Sequence, residues 1–131
     1  SGHQTIKIGD ITPTRDLVFV DDTTQGFIEI AACEKLIGHE VNIATCSEIS
    51  IGDLAKQLIQ LINPQAVLEH EEQRYRPSAS EVFRLFGSNT KLKEFTGWQP
   101  SISLEAGLKQ TIDWFASPEN LASYKADIYN L

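Results

Sequence analysis

Residues 12–22 read TPTRDLVFVDD, and the character of the sequence changes twice within this stretch. The Thr and Pro residues at its start are typical of a turn. The continuous apolar run Leu17–Val20 is typical of a strand that is covered on both faces. Asp21 and Asp22 then predict the start of a helix, with Asp22 as its cap, because a carboxylate can accept hydrogen bonds from the free amides of a first turn. The stretch therefore predicts a turn, a strand and a helix, with Arg15 at the end of the turn.

The residues on either side of this stretch continue the pattern. Thr5–Ile8 alternates polar and apolar residues, which predicts a short strand that could pair with Leu17–Val20 as a hairpin. Phe27, Ile28 and Ala31 recur at helical spacing and predict the apolar face of the helix that follows.

The rest of the chain alternates between helical and strand patterns, without an internal repeat or a linker to a second domain. Serines that can cap a helix precede two of the apolar helical patterns. The sequence therefore predicts an α/β fold, a small mixed domain of about five helices and four short strands. The further helices are expected at Ser50–Asn63, Thr90–Gly97, Ser103–Phe115 and Pro118 to about Tyr129, and the further strands at Glu40–Ala44 and Ala66–Glu69.

Composition sets limits on the function. The chain has 131 residues, of which 41% are hydrophobic and 22% charged, as in ordinary globular domains. Its net charge of −7 disfavours a nucleic-acid partner, because duplex binding depends on neutralising phosphates. No apolar run approaches the roughly 20 residues of a membrane span, so we expect no membrane partner and a cytoplasmic protein. Ser1-Gly2-His3 is typical of a tag remnant, which leaves 4–131 as a single domain.

Several spacings that mark an active site are absent from the sequence. The eight glycines include no GxGxxG group, and no tyrosine is followed by a lysine four positions later. The two cysteines, Cys33 and Cys46, lack metal-ligand spacing and are expected to be small buried thiols. We therefore expect no catalytic residue, no bound cofactor and no metal site in this chain.

Four segments resemble, in order and spacing, the extended short-chain dehydrogenase/reductase family of nucleotide-sugar epimerases and dehydratases. The first segment, at residues 12–22, reads TPTRDLVFVDD. The third segment reads RPSASEV and then SNTK, and it is most similar to 4,6-dehydratases that act on GDP- or UDP-linked sugars. The segments are residues 12–22, residues 40–43 with 48–51, residues 76–82 with 88–91, and residues 97–100 with 103–108 and 112–115.

The resemblance implies a division of labour within a longer enzyme. In that family the amino-terminal Rossmann half holds NAD(P) and the catalytic Tyr and Lys, and the carboxy-terminal part grips the substrate. The chain is similar to the carboxy-terminal, substrate-binding part without the full Rossmann half. The expected ligand is a UDP- or GDP-sugar, bound weakly, and the chain is expected to be inactive by itself.

Four residues are candidates for substrate binding. Arg15 and Arg76 match the two phosphate-binding arginines of the family, and guanidinium groups suit a diphosphate because they are permanently charged and donate in pairs. The resemblance also places Asn42 at the substrate, although a polar residue there could equally make a sheet-edge hydrogen bond. Glu81 could accept a hydrogen bond from a ribose or base, or it could be a solvated charge. Trp98 and Trp114 are expected to be core residues.

The sequence departs from the family after the segment that contains Asn42. The family has a glycine there, and this chain has Ala44-Thr45-Cys46, so the turn could differ. The strand that contains Val41 would also lack neighbours without the Rossmann half, and an exposed edge invites pairing with another chain. The alternative function is therefore a stand-alone interaction module that forms a homodimer through exposed strand edges.

Overall fold

The computed structural model describes residues 4–71 and 82–122. This part of the chain is a small mixed α/β fold with five α-helices and short strands, as the sequence predicts. In chain order the elements are β1 (Thr5–Ile8), β2 (Thr14–Arg15), α1 (Val20–Ala32), a 3-10 turn (Glu34–Leu36), β3 (Ile49–Ser50), α2 (Ile51–Ile62), β4 (Val67–His70), β5 (Arg84–Leu85), α3 (Thr90–Thr96), α4 (Leu104–Ala116) and α5 (Pro118–Ala122).

The strands form two small sheets. β1 pairs in parallel with β4, with Thr5 opposite Val67, and β2 lies between antiparallel β3 and parallel β5. The predicted hairpin between β1 and Leu17–Val20 is therefore wrong. The apolar run fails to form a strand because α1 already begins at Val20, and Phe19 packs its ring against Gly107 of α4.

The first turn of α1 holds the loop that precedes α4. Asp22 is only 4% exposed, and its carboxylate accepts hydrogen bonds from Ser101 N at 3.0 Å, Ser101 Oγ at 2.7 Å and Ile102 N at 2.9 Å. The indole Nε1 of Trp98 donates to the Asp22 carbonyl oxygen at 3.2 Å. The prediction that Asp22 caps the helix is wrong: Phe19 occupies the cap position, and Asp22 ties α1 to a distant segment.

A small core lies beneath α1 and α3. Leu36, Leu92 and Trp98 are its buried members, and Ile30 and Ile43 are among the partly buried residues packed against them. The prediction that Trp98 belongs to the core is confirmed.

The prediction that Trp114 is a core residue is wrong. Its side chain is 46% exposed on α4, where it meets Phe115 edge-on.

Helix α1 carries apolar residues on a face that the described residues leave uncovered. Phe27 and Val20 are each 64% exposed and Ile28 is 55% exposed. The predicted apolar face of α1 is therefore exposed, because the inner face of the helix is formed by Asp22 and Gly26 together with neighbouring residues.

The segment 40–44 forms no strand with any described residue, so the predicted strand is wrong. Its side chains nevertheless alternate, since Val41 and Ile43 are half-buried while Asn42 is exposed. The alternation arises from packing on the core, which needs no ladder partner. Ala44 is buried against Gly87, where an added Cβ would lie 2.5 Å from the Ala44 Cβ.

The two predicted serine caps are confirmed. Ser50 Oγ accepts from Asp53 N at 3.0 Å at the start of α2, and Ser103 Oγ accepts from Ala106 N at 3.2 Å at the start of α4.

Within residues 4–71 and 82–122, the helices are too short or too polar to cross a membrane.

Replacing Asp22 with Asn should destabilise the fold by about 2 kcal/mol at neutral pH, because the donors that surround the carboxylate lose a charged acceptor. Burial raises the pKa of the Asp22 carboxyl, but the hydrogen bonds from Ser101 and Ile102 outweigh burial and lower the pKa below its ordinary value. The stabilisation is therefore complete above about pH 4 and is lost as the pH falls further. Urea unfolding between pH 7 and pH 2.5 measures this, and equal pH dependence in wild type and D22N would refute it.

The contact between Ala44 and Gly87 predicts a compensating pair of substitutions. Gly87→Ala should cost about 1–3 kcal/mol, because the new methyl group overlaps the Ala44 side chain. Adding Ala44→Gly should recover part of that loss. A double-mutant cycle of unfolding free energies checks the pair, and strictly additive effects would argue against the contact.

Candidate functional site

A cavity of about 370 Å³ opens beside Arg15. We call it the Arg15 cleft. Three segments form its walls: the end of β2 with Leu17, the stretch that leads into β3, and the loop that leads into α4. The described residues that line it are Arg15, Leu17, Thr45, Ser47, Glu48, Ile49 and Pro100 to Leu104.

Arg15 is the last residue of β2, the central strand of the second sheet. Its Nη1 donates to the carbonyl oxygen of Thr14 at 2.8 Å and to the carbonyl oxygen of Val82 at 2.7 Å. The backbone of β2 thus sets the position of the guanidinium group, which is half-buried in the cleft wall.

A second arginine, Arg84, lies close by and forms an ion pair with Glu48. Arg84 donates to the Glu48 carboxylate through Nε at 2.9 Å and through Nη2 at 2.7 Å, and Thr14 Oγ1 donates to the same carboxylate at 2.7 Å. The Arg84 guanidinium also lies 4.9 Å from the Phe86 ring centroid. The hydrogen bonds from Arg84 and then from Thr14 lower the pKa of Glu48 to about 2, so it is ionised at physiological pH.

Sequence reasoning missed the Glu48–Arg84 pair. Glu48 directly precedes β3 and Arg84 lies on β5, and these two strands meet only because each pairs with β2. The charges are 36 positions apart in the chain, so no local spacing could have found them.

The turn at residues 45–47 forms one wall of the cleft. The Asp16 carboxylate accepts from Thr45 N at 2.9 Å, Thr45 Oγ1 at 2.6 Å and Cys46 N at 3.0 Å. Cys46 has a φ of 59°, in the left-handed region that favours glycine. The chain therefore keeps a glycine-like backbone in this turn without a glycine. Cys46 is exposed, so the prediction that both cysteines are buried is wrong for this residue.

The four predicted site residues have different outcomes. Arg15 lines the cleft. Asn42 is exposed and is not one of the described residues that line the cleft. Arg76 and Glu81 lie outside the described residues. A role in substrate binding stays a prediction for all four.

The described lining residues carry groups that can form ion pairs and hydrogen bonds. They offer one guanidinium group, several hydroxyl groups and one fixed carboxylate. This set can hold an anion beside hydroxyl groups.

Comparison with known proteins identifies relatives of the chain. Residues 1–111 match the family model described as GDP-mannose 4,6 dehydratase. The chain is 34% identical over 121 residues to the UDP-N-acetyl-alpha-D-glucosaminuronate decarboxylase of Bacillus cytotoxicus, covering 91% of this chain and 37% of that protein.

Solved structures give a consistent result. The epimerase Mth375 of Methanothermobacter thermautotrophicus has a TM-score of 0.79 and 26% identity, covering 92% of this chain and 34% of that one. The UDP-glucose 4-epimerase of Thermotoga maritima, solved with UDP-glucose, has a TM-score of 0.72 and 28% identity, covering 87% of this chain and 35% of that one.

The chain belongs to the family of NAD-dependent nucleotide-sugar epimerases and 4,6-dehydratases, as the sequence motifs predict. It spans about a third of the length of the curated relatives it matches.

Proposed function

We propose that the chain is the substrate-binding portion of an NAD(P)-dependent sugar-nucleotide 4,6-dehydratase or epimerase, and that it is not catalytic alone. The ligand is the diphosphate of a UDP- or GDP-sugar. The observation that carries the proposal is Arg15, which lines a cleft in a chain whose relatives include a UDP-glucose 4-epimerase.

The chemistry of the cleft suits this ligand. A diphosphate needs permanently charged donors, and guanidinium provides them in a planar arrangement. Ser47, Ser101 and Ser103 also line the cleft, and the hydroxyl groups of a sugar can exchange hydrogen bonds with such residues. The volume of about 370 Å³ is in the range of small-molecule sites.

NAD(P), in this proposal, is held by polypeptide outside the chain. The sequence has no glycine-rich dinucleotide loop and no Tyr-x-x-x-Lys pair, which supports this division. Arg76 would supply the second phosphate contact, and Asn42 and Glu81 further polar contacts.

The proposal predicts that the chain binds nucleotide sugars and not NAD. Arg15→Ala should weaken binding of the preferred UDP- or GDP-sugar about 10- to 100-fold, because a charge-assisted pair of hydrogen bonds is lost. Arg15→Lys keeps the charge but loses the planar pair, so it should fall between alanine and wild type. Ligand-observed NMR titrations with UDP-, GDP- and dTDP-sugars measure these affinities.

Lys56→Ala is the matched control, since it removes a cation from an exposed ion pair on α2. It should leave the affinity unchanged. Equal loss in both variants, undiminished binding by Arg15→Ala, or turnover by the purified chain would each contradict the proposal. Arg76→Ala tests the second arginine in the same way.

A second candidate, a homodimeric interaction module, is favoured by a different observation. The backbone of Val41 to Ile43 makes no hydrogen bond with another described residue, and α1 exposes Val20 and Phe27. An edge of this kind can pair with its own copy about a twofold axis, and the neighbouring apolar residues would then be covered.

If the chain forms a homodimer, its apparent molecular mass in sedimentation equilibrium should rise with concentration. Phe27→Asp should weaken self-association at least about tenfold, because it places a charge in the apolar contact. Gln110→Asp adds the same charge on the exposed face of α4 and is the control. A wild-type chain that stays monomeric at millimolar concentration would exclude this candidate.

A further inference from the structure

A second cavity, of about 270 Å³, lies between α2 and the sheet of β1 and β4. We call it the apolar pocket. Because side chains alternate along a strand, Ile6 and Ile8 lie on the same face of this sheet, and Leu68 lies beside Ile6 in the register. The α2 side of the pocket is formed by residues that recur at helical spacing: Ala55, Leu58, Ile59 and Ile62.

None of the described residues that line the pocket is charged. The polar side chains among them are the amides of Gln4 and Asn63, and the others are aliphatic. Asn63 Oδ1 accepts a hydrogen bond from Gln65 N at 3.2 Å, so Nδ2 is the part of this amide that can donate to a ligand. An ordered water needs about two to four polar partners, and aliphatic walls provide none, so an apolar occupant is favoured.

The size and the opening of the pocket indicate what kind of molecule fits. An apolar cavity of about 150 Å³ takes up benzene and stays free of water. A cavity of about 270 Å³ therefore has room for a longer aliphatic chain. Ile6 is 40% exposed and Ile62 is 62% exposed, so the pocket is open to solvent beside these side chains and a ligand can enter there.

The same lining limits the charge of the ligand. The cation on β1 is Lys7, which lies on the opposite face of the strand and pairs with Glu71 at 3.6 Å. An ion taken into the pocket would lose its hydration without gaining a partner of opposite charge, which is unfavourable. The amides of Gln4 and Asn63 can instead exchange hydrogen bonds with an uncharged hydroxyl group.

We propose that the apolar pocket binds an unbranched aliphatic chain that ends in an uncharged hydroxyl group, as in a medium-length primary alcohol. The aliphatic chain lies between α2 and the sheet, and its hydroxyl group bonds to the amide of Gln4 or Asn63. No described residue lines both this pocket and the Arg15 cleft, so the site is separate from that of the proposed function and its test is independent of it.

The experiment titrates the wild-type chain with primary alcohols from pentanol to octanol and follows the side-chain methyl resonances by NMR. The dissociation constant should fall about three- to fourfold for each added methylene, until the alcohol fills the pocket. The resonances of Ile8, Leu58 and Leu68 should shift, and those of Leu108 on α4 should stay in place. Octanoate, with a charged head on a similar chain, should bind at least about tenfold more weakly than octanol.

Ala55→Phe tests the position of the site, because the added ring fills the pocket and should abolish binding. Gln57→Phe is the matched control, since it adds the same ring at an exposed position of α2 and should leave the dissociation constants unchanged. The chain-length series uses the wild type alone and does not depend on how either variant folds.

Four outcomes would each overturn the inference. They are absence of saturable binding by every alcohol, a dissociation constant independent of chain length, shifts confined to residues outside the pocket, and undiminished binding by folded Ala55→Phe. Methyl shifts at Ile8, Leu58 and Leu68 that follow the protein concentration without any alcohol would show that a second copy of the chain fills the pocket, and would overturn it as well.

Discussion

The buried carboxylate of Asp22 joins the first turn of α1 to the loop that precedes α4. It lies in the first turn of α1 and accepts hydrogen bonds from Ser101 and Ile102, about 80 residues later. Those same residues form one wall of the Arg15 cleft. The cleft walls come from distant parts of the sequence, and the Asp22 hydrogen bonds hold one of these walls in place. A single charged group therefore links the stability of the fold to the shape of the site.

The charged groups at the cleft are Arg15 and the ion pair of Glu48 with Arg84. The backbone carbonyl oxygens of Thr14 and Val82 accept hydrogen bonds from Arg15 and fix the position of its guanidinium group. Glu48 and Arg84 neutralise each other but present their charges in different directions, with the carboxylate toward the cavity. An anion and a hydroxyl-rich group can then occupy neighbouring parts of one small cleft. This arrangement forms in a chain of net charge −7 because local geometry outweighs the total charge.

The chain is shorter than its relatives, and it exposes apolar residues at its surface. It spans about a third of the curated relatives it matches, and α1 presents Phe27 and Val20 outward. The segment around Asn42 keeps the alternation of a strand without a strand partner among the described residues. The sequence predicted an apolar face for α1, and a strand at 40–44 whose edge would lack neighbours without the Rossmann half. The described residues leave them at the surface, where a further polypeptide, either in the same protein or in a second copy, could cover them.

The sequence by itself determined the fold class, the family, and the helices α2 and α4 with their serine caps. These follow from signals within a few positions, such as the hydrogen bond between Ser50 and Asp53, or from motifs that can be read directly. Only the tertiary structure decided the pairing of β2 with β3 and β5, the role of Asp22 as a tether, and the position of Glu48 in the cleft. Each of these depends on residues that are tens of positions apart. Local propensity carries no information about such partners, because their proximity is set by the packing of the whole chain.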